Sequence, residues 1–298
     1  MIQFELLLIL VIFTNITIDF LDKRTSLGSD PMALAMWSNV IQFFLILPLI
    51  GLVGGFQVAH LLLCFIVGAV SVVGRMAWYK ALSKKGEELS RIAPFSRFSS
   101  IISLSFGVLV FREVIQQYQI IGGFLMICGA VVIGFEKQKG NFKDYIKSNR
   151  FIAYVLLFAA TSASISILYK YLLLEDLNLF SIYFYLKFFQ VITIVLYSAF
   201  TKTLSTSYQK ISYLKPFVAN RIFQTAAALL YLLALKNMPL SRVAPISAMS
   251  PFVFLLVDWV FARLNLSSPG SGLKDPRIIK MRLAALVLIA FGAYLLKK

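Results

Sequence analysis

Apolar runs of about 20 residues recur along the whole chain, and no other feature restricts its fold as strongly. The hydrocarbon core of a bilayer is about 30 Å thick, which a helix crosses in about 20 residues. In lipid, backbone polar groups must be satisfied within the segment, so such runs read as transmembrane helices. Ten can be drawn: 4–21, 31–53, 58–82, 89–111, 118–135, 151–174, 177–200, 211–235, 240–264 and 278–296. Composition agrees. Of 298 residues, 59% are hydrophobic and only 14% charged, against about 25% charged in a soluble domain. The expected fold class is an all-α polytopic membrane protein, with the lipid bilayer as its surroundings.

The same residues exclude several kinds of function. A net charge of +16 would suggest nucleic acid in a soluble protein; in a membrane protein it points first to cytoplasmic loops and anionic ligands. His60 is the only histidine, and one histidine cannot build a zinc site or a haem pair. Cys64 and Cys128 lie in apolar runs without CxxC spacing and read as packing residues. No phosphate-binding GxxxxGK[ST] loop is present, so ATP-driven pumping is not encoded in this chain. We therefore assign no catalytic residue, no metal and no cofactor. A membrane-embedded lipid-processing enzyme would need a His/Asp/Glu cluster that the chain does not offer. No basic segment or small-residue cleavage site marks the first span as a signal peptide, so it is expected to be retained.

The chain repeats itself. Leu89-Ser90-Arg91-Ile92-Ala93-Pro94 matches Leu240-Ser241-Arg242-Val243-Ala244-Pro245 at five of six positions. Ala81-Leu82 matches Ala234-Leu235, and Gly122 with Gly129-Ala130 matches Ala285 with Gly292-Ala293 at equal spacing. This divides the chain into a first repeat, 1–135, a basic linker, 136–150, and a second repeat, 151–298. With five spans in each half, the second half must be inverted in the membrane. Inverted repeats are an architecture of alternating-access transporters, with substrate held near the midplane.

At this point the sequence resembles the drug/metabolite transporter superfamily, in particular its ten-helix EamA-like members. The residues that carry the likeness are Tyr79-Lys80-Ala81-Leu82, the proline-bearing start of the fourth span, Phe111-Arg112-Glu113 and the glycines of the fifth span. The second half departs from the pattern: Phe261-Ala262-Arg263 lacks a counterpart to Glu113, and a polar insertion follows. The resemblance implies this fold and a transport activity in the cell (inner or plasma) membrane. Its substrates span amino acids, nucleotide sugars, sugar phosphates and drugs, so an exporter of drugs or amino acids is the alternative reading.

Four bases fall inside spans: Arg75, Arg97, Lys187 and Arg221. A charge at mid-bilayer costs at least about 2.5–3.5 kcal/mol, so such residues face a cavity or a partner. At 1.5 Å per residue, Arg75 and Arg97 lie roughly 10–13 Å below the same membrane face. Arginine grips carboxylate or phosphate with two parallel hydrogen bonds. The expectation is a cationic cavity for a small anionic or zwitterionic metabolite, with Asn15, Trp78 and Tyr79 completing the substrate site. Thr14, Thr161, Ser162, Ser164, Asn220 and Gln224 are further polar candidates. Pro94, Pro245 and Pro251 are read as hinges that shape the cavity, because proline removes a backbone donor and kinks a helix. Asp19 and Asp258 are expected to be the only carboxylates within spans, with Lys23 or Arg24 as partners for Asp19. Loops after odd-numbered spans hold most of the bases, which places both termini outside; the resemblance implies both inside.

Overall fold

The computed structural model describes residues 2–55, 57–83, 92, 95–114, 116–134, 150–201, 214–250, 253, 284–285, 287–292 and 294–295. Among these residues the regular structure is helical, with no strand. The helices are α1 (Ile2–Ser26), α2 (Pro31–Ile46, continued by a 3₁₀ turn over Leu47–Leu52), α3 (Val58–Leu82), α4 (Phe98–Leu109), α5 (Gln117–Gly134), α6 (Arg150–Leu174), α7 (Leu179–Phe200), α8 (Leu214–Asn237) and α9 (Leu240–Ser247). Among the described residues, five segments are long and apolar enough to cross a membrane: Pro31–Leu52, Val58–Leu82, Phe151–Leu174, Leu179–Phe200 and Leu214–Asn237.

Local sequence sets the helix ends. Asp30 caps α2 by accepting the Met32 N–H at 3.0 Å, with Pro31 in the first turn, where its missing N–H is not needed. Asn178 caps α7 in the same way through Phe180 N–H at 2.9 Å. One sequence boundary needs correction. The Asp22-Lys23-Arg24 cluster does not end the first helix, because α1 runs on to Ser26 and Asp22 is fully buried. Within the expected fourth span, Ile92, Phe95 and Ser96 are helical, and a turn at Arg97 separates them from α4.

The helices pair across the chain. α3 packs on α6, α1 on α8, α4 on α9 and α2 on α7. The α3–α6 contact is close because Gly74 has no side chain. A Cβ there would lie 1.8 Å from the Thr161 Oγ1. α5 meets the helical residues near the C-terminus in the same manner. A Cβ on Gly129 would lie 2.7 Å from Ile289 Cγ1, and one on Gly292 would lie 2.5 Å from the Gly122 carbonyl. Small residues let helix backbones approach where no hydrophobic force drives them together in lipid.

Two ends of the bundle can be told apart by their contacts. At one end, α1, α3 and α8 meet at Asp22, Tyr79 and Asn220. At the other, Glu113 meets α9, Gly54 N–H donates to Ser181 Oγ at 2.7 Å, and Asn178 donates to the Leu52 carbonyl at 3.1 Å. We call these the Asp22 end and the Glu113 end.

Candidate functional site

A cavity of about 250 Å³ lies among the helices. Its wall draws on α1, α2, α3, α4, α6, α7, α8 and α9. The lining is markedly polar for a helical membrane protein. It includes Asn15, Asn39, Gln42, Gln190 and Gln224, with hydroxyls from Ser71, Ser100, Thr161 and Ser162. Six charged residues also line it or stand behind it: Asp19, Asp22, Arg75, Arg97, Lys187 and Arg221.

Four of these six cancel in pairs. Arg97 Nη2 contacts Asp19 Oδ2 at 3.2 Å. Arg221, with no exposed surface, donates from Nη2 to Asp22 Oδ1 in a short contact. Its Nη1 donates to Ser38 Oγ and Tyr79 OH, each at 2.7 Å, and to Gln224 Oε1 at 2.6 Å. Its guanidinium also lies 4.8 Å from the Phe217 ring centroid. Asn220 Nδ2 adds a donor to Asp22 Oδ1 at 2.8 Å. A buried ion pair holds only when further hydrogen bonds satisfy its remaining donors and acceptors. Here Tyr79, Ser38, Gln224 and Asn220 do that for most of them.

Two cations have no carboxylate within ion-pair distance among the described residues. Lys187 Nζ donates to Gln42 Oε1 at 2.5 Å and to Gln190 Oε1 at 2.8 Å, and lies 5.5 Å from the Tyr183 ring centroid. Arg75 is half-buried and has its guanidinium 5.8 Å from the Phe158 ring centroid. The two share one wall. Gln190 Nε2 donates to Ser71 Oγ at 2.6 Å, and Ser71 and Arg75, four residues apart on α3, lie on one helical face. A continuous relay also links the neutral amides to the ion pair. Gln42 Nε2 donates to Gln224 Oε1 at 2.5 Å, and the same oxygen accepts from Arg221.

Residues 4–135 match the EamA-like transporter family. Over these residues the match is to a family of the drug/metabolite transporter superfamily. Together with the long apolar helices, it supports a multi-pass membrane protein. A solved crystal structure superposes with a TM-score of 0.67 at 14% identity, covering 98% of this chain and 96% of that one. That likeness is one of fold alone. No curated protein matches the chain.

In this EamA-like chain the residues proposed from sequence fall into two groups. Asn15, Arg75, Trp78, Arg97 and Lys187 line the cavity. Trp78 also stacks on Phe158, with ring centroids 4.6 Å apart. Tyr79 and Arg221 are not part of the lining. Both are fully buried behind it, where Arg221 is tied to Asp22 rather than facing the cavity. Asp19 pairs with Arg97, not with Lys23 or Arg24. The expectation that Asp19 and Asp258 are the only carboxylates within spans is corrected by Asp22, which lies within α1. Of the further polar candidates, Thr161, Ser162 and Gln224 line the cavity, and Asn220 serves Asp22. Thr14 and Ser164 bond to their own helix, at Leu10 and Ala160. Pro245 lies inside α9, where bonds of the tighter i+3 kind reach Ala248 and Met249, the local tightening expected beside a proline kink. Pro94, Pro251 and Asp258 lie outside the described residues.

Sequence reasoning missed Asn39, Gln42, Ser71 and Gln190. Their signal was spacing: Asn39 and Gln42, like Lys187 and Gln190, stand three residues apart in otherwise apolar spans, which puts each pair on one helical face.

Proposed function

We propose that the chain is a secondary transporter of a small anionic metabolite, working by alternating access. The observation that carries this reading is the pair Arg75 and Lys187, two cations on one cavity wall with no direct ion pair to a carboxylate among the described residues. A buried charge without a counter-charge is expensive in a low-dielectric interior, and a bound anion removes that expense. Arginine supplies planar, two-pronged recognition and lysine a point charge. A substrate bearing a carboxylate or phosphate fits this pair, and one with two negative charges would neutralise both.

The helix pairing supports two inverted five-helix repeats over 1–135 and 151–298, joined by the linker 136–150. The first helix of each half packs on the third of the other, as α1 on α8 and α6 on α3. Each half also repeats a detail of its own. Lys23 on α1 donates to the Leu82 carbonyl at 2.7 Å, and Lys170 on α6 donates to the Leu235 carbonyl at 3.1 Å. These are corresponding residues of the two repeats. In a transporter of this design the halves rock about a central site, and substrate acts through its differential affinity for the two states.

The test is a thermal-shift panel of carboxylates, phosphate esters, amino acids and cations on the purified protein, followed by uptake of the hits into proteoliposomes. Ligand at 100 times its Kd stabilises by about 2.7 kcal/mol. Arg75→Gln removes a half-buried group whose contact with Phe158 is worth about 0.5–1 kcal/mol, so the variant is expected to fold normally. It should lose at least tenfold in affinity for the anion. A hit set without anions, or normal affinity in Arg75→Gln, overturns the reading. A reporter fused at Lys298 reads which side of the membrane the C-terminus occupies.

A further inference from the structure

The Glu113 end carries a contact that the cavity does not explain. Glu113 sits just beyond α4. Arg112, at φ 49°, takes the left-handed conformation that reverses a chain after a helix, and Glu113 N–H returns to the Gly107 carbonyl at 3.1 Å, closing the turn. The carboxylate is thereby aimed at the other half of the protein. Its Oε1 accepts the Leu240 N–H at 2.7 Å. Its Oε2 accepts the Ser241 N–H at 2.8 Å and the Ser241 hydroxyl in a shorter contact. These are the first N–H groups of α9, which have no acceptor within their own helix and favour negative charge. Lys170 Nζ stands 3.9 Å from Oε1 and donates to the Leu235 and Met238 carbonyls at the end of α8, at 3.1 and 3.0 Å. One carboxylate and one ammonium thus tie together α4, α6, α8 and α9.

Space is reserved for this contact. A Cβ on Gly107 would lie 2.8 Å from Glu113 Oε2 and 2.9 Å from Ser241 N. The contact also adjoins the cavity: Ser241 is three residues from Ala244, and Lys170 follows Tyr169, both of which line the cavity. The sequence does not repeat it in the other half. Lys23 and Leu82 correspond to Lys170 and Leu235, and Ser90 to Ser241. Where the second half should supply the acid, however, no Asp or Glu occurs from 259 to 274.

We infer that Glu113 is a latch that holds the Glu113 end of the cavity shut. This rests on the alternating-access reading and adds what keeps one of the two ends closed. For the Glu113 end to open, the N-terminus of α9 must leave the carboxylate and give up every acceptor it has there. The Asp22–Arg221 pair joins α1 to α8 at the other end, so the two ends are tied by different contacts.

Glu113→Gln keeps the shape but offers an acceptor at one position only, so an amide N–H must oppose an N–H of α9. The readout is cysteine labelling by an impermeant maleimide in sealed vesicles of each orientation, on a Cys64→Ala, Cys128→Ala background. Ser166→Cys reports the cavity towards the Glu113 end, and Ser99→Cys reports it towards the Asp22 end. Glu113→Gln should speed labelling at position 166 from its side at least tenfold and slow labelling at position 99. Gly107→Ala, which leaves Glu113 in place but crowds it, should shift both rates in the same directions and carries the test if Glu113→Gln does not fold. Unchanged rates at both positions in a folded variant overturn the latch. Labelling needs no substrate, so the two ideas fail separately. A shift without anion transport overturns the transport reading alone, and anion transport without a shift overturns the latch alone.

Discussion

Asp22 has three donors on one carboxylate oxygen, from Arg221, Asn220 and Tyr79, and a second oxygen that is buried without a partner among the described residues. Its negative charge is therefore set mainly against one guanidinium. Asp22→Asn would leave Arg221 buried and uncompensated, a loss worth about 3–5 kcal/mol when one member of a buried pair is removed. Denaturant unfolding in detergent should show that drop, and Asp22→Asn with Arg221→Met should recover much of it. Recovery absent from the double variant would mean that the cluster is held by something other than this pair. Sequence could point to Arg221 as a buried base but not to its partner, because the two are 199 residues apart. The Asp22-Lys23-Arg24 cluster imitates the polar end of a span, and only a compensating group from a distant helix lets the helix continue through it. Arg75 and Lys187 were legible for the opposite reason. A lone charge in an apolar run is conspicuous whatever surrounds it.

Helices as elements were easier to read than their interruptions. Length and apolar character predicted α2, α3, α6, α7 and α8 within a few residues of where they stand, because a bilayer leaves little choice in either. The turn at Arg97 interrupts the expected fourth span, and no local signal in the sequence announces it. Glycine spacing did carry information: Gly122, Gly129 and Gly292 form a close helix crossing. Gly74 was not singled out from sequence, yet it is the tightest approach among the described glycines. Gly74→Ala should destabilise the protein by about 1–3 kcal/mol, as overpacking of a fitted contact does. Thr161→Ala should return part of that loss by removing the hydroxyl and methyl, but not all, since the Thr161 Cβ would still lie 2.7 Å from the added methyl group. Melting temperatures of the two single variants and the double give the comparison, and additive losses would place the strain elsewhere.

At the scale of the whole molecule, the repeated Leu-Ser-Arg-x-Ala-Pro motif points to two related halves, but likeness between halves does not say how they dock. The docking is an exchange: α3 leans on α6 and α1 on α8, so the first and third helices of each half find their main partners in the other. Each half alone would therefore present α1 and α3 faces shaped for absent helices. The first would also bury Asp22 with no Arg221, and the second Arg221 with no Asp22. Each unpaired charge carries a penalty of about 3–5 kcal/mol, a large part of the roughly 5–15 kcal/mol that stabilises a typical domain. Residues 1–135 and 151–298 expressed separately should each fail to give a monodisperse, protease-resistant protein. Expressed together as two chains, they should assemble, co-purify and recover ligand-induced stabilisation. Removing the covalent linker costs only the entropy of bringing two chains together in one membrane, whereas removing a half costs every exchanged contact. Stable, well-packed single halves would show that contacts within each half dominate, and the rocking of one half against the other would then need a different interface from the exchanged helices seen in this structure.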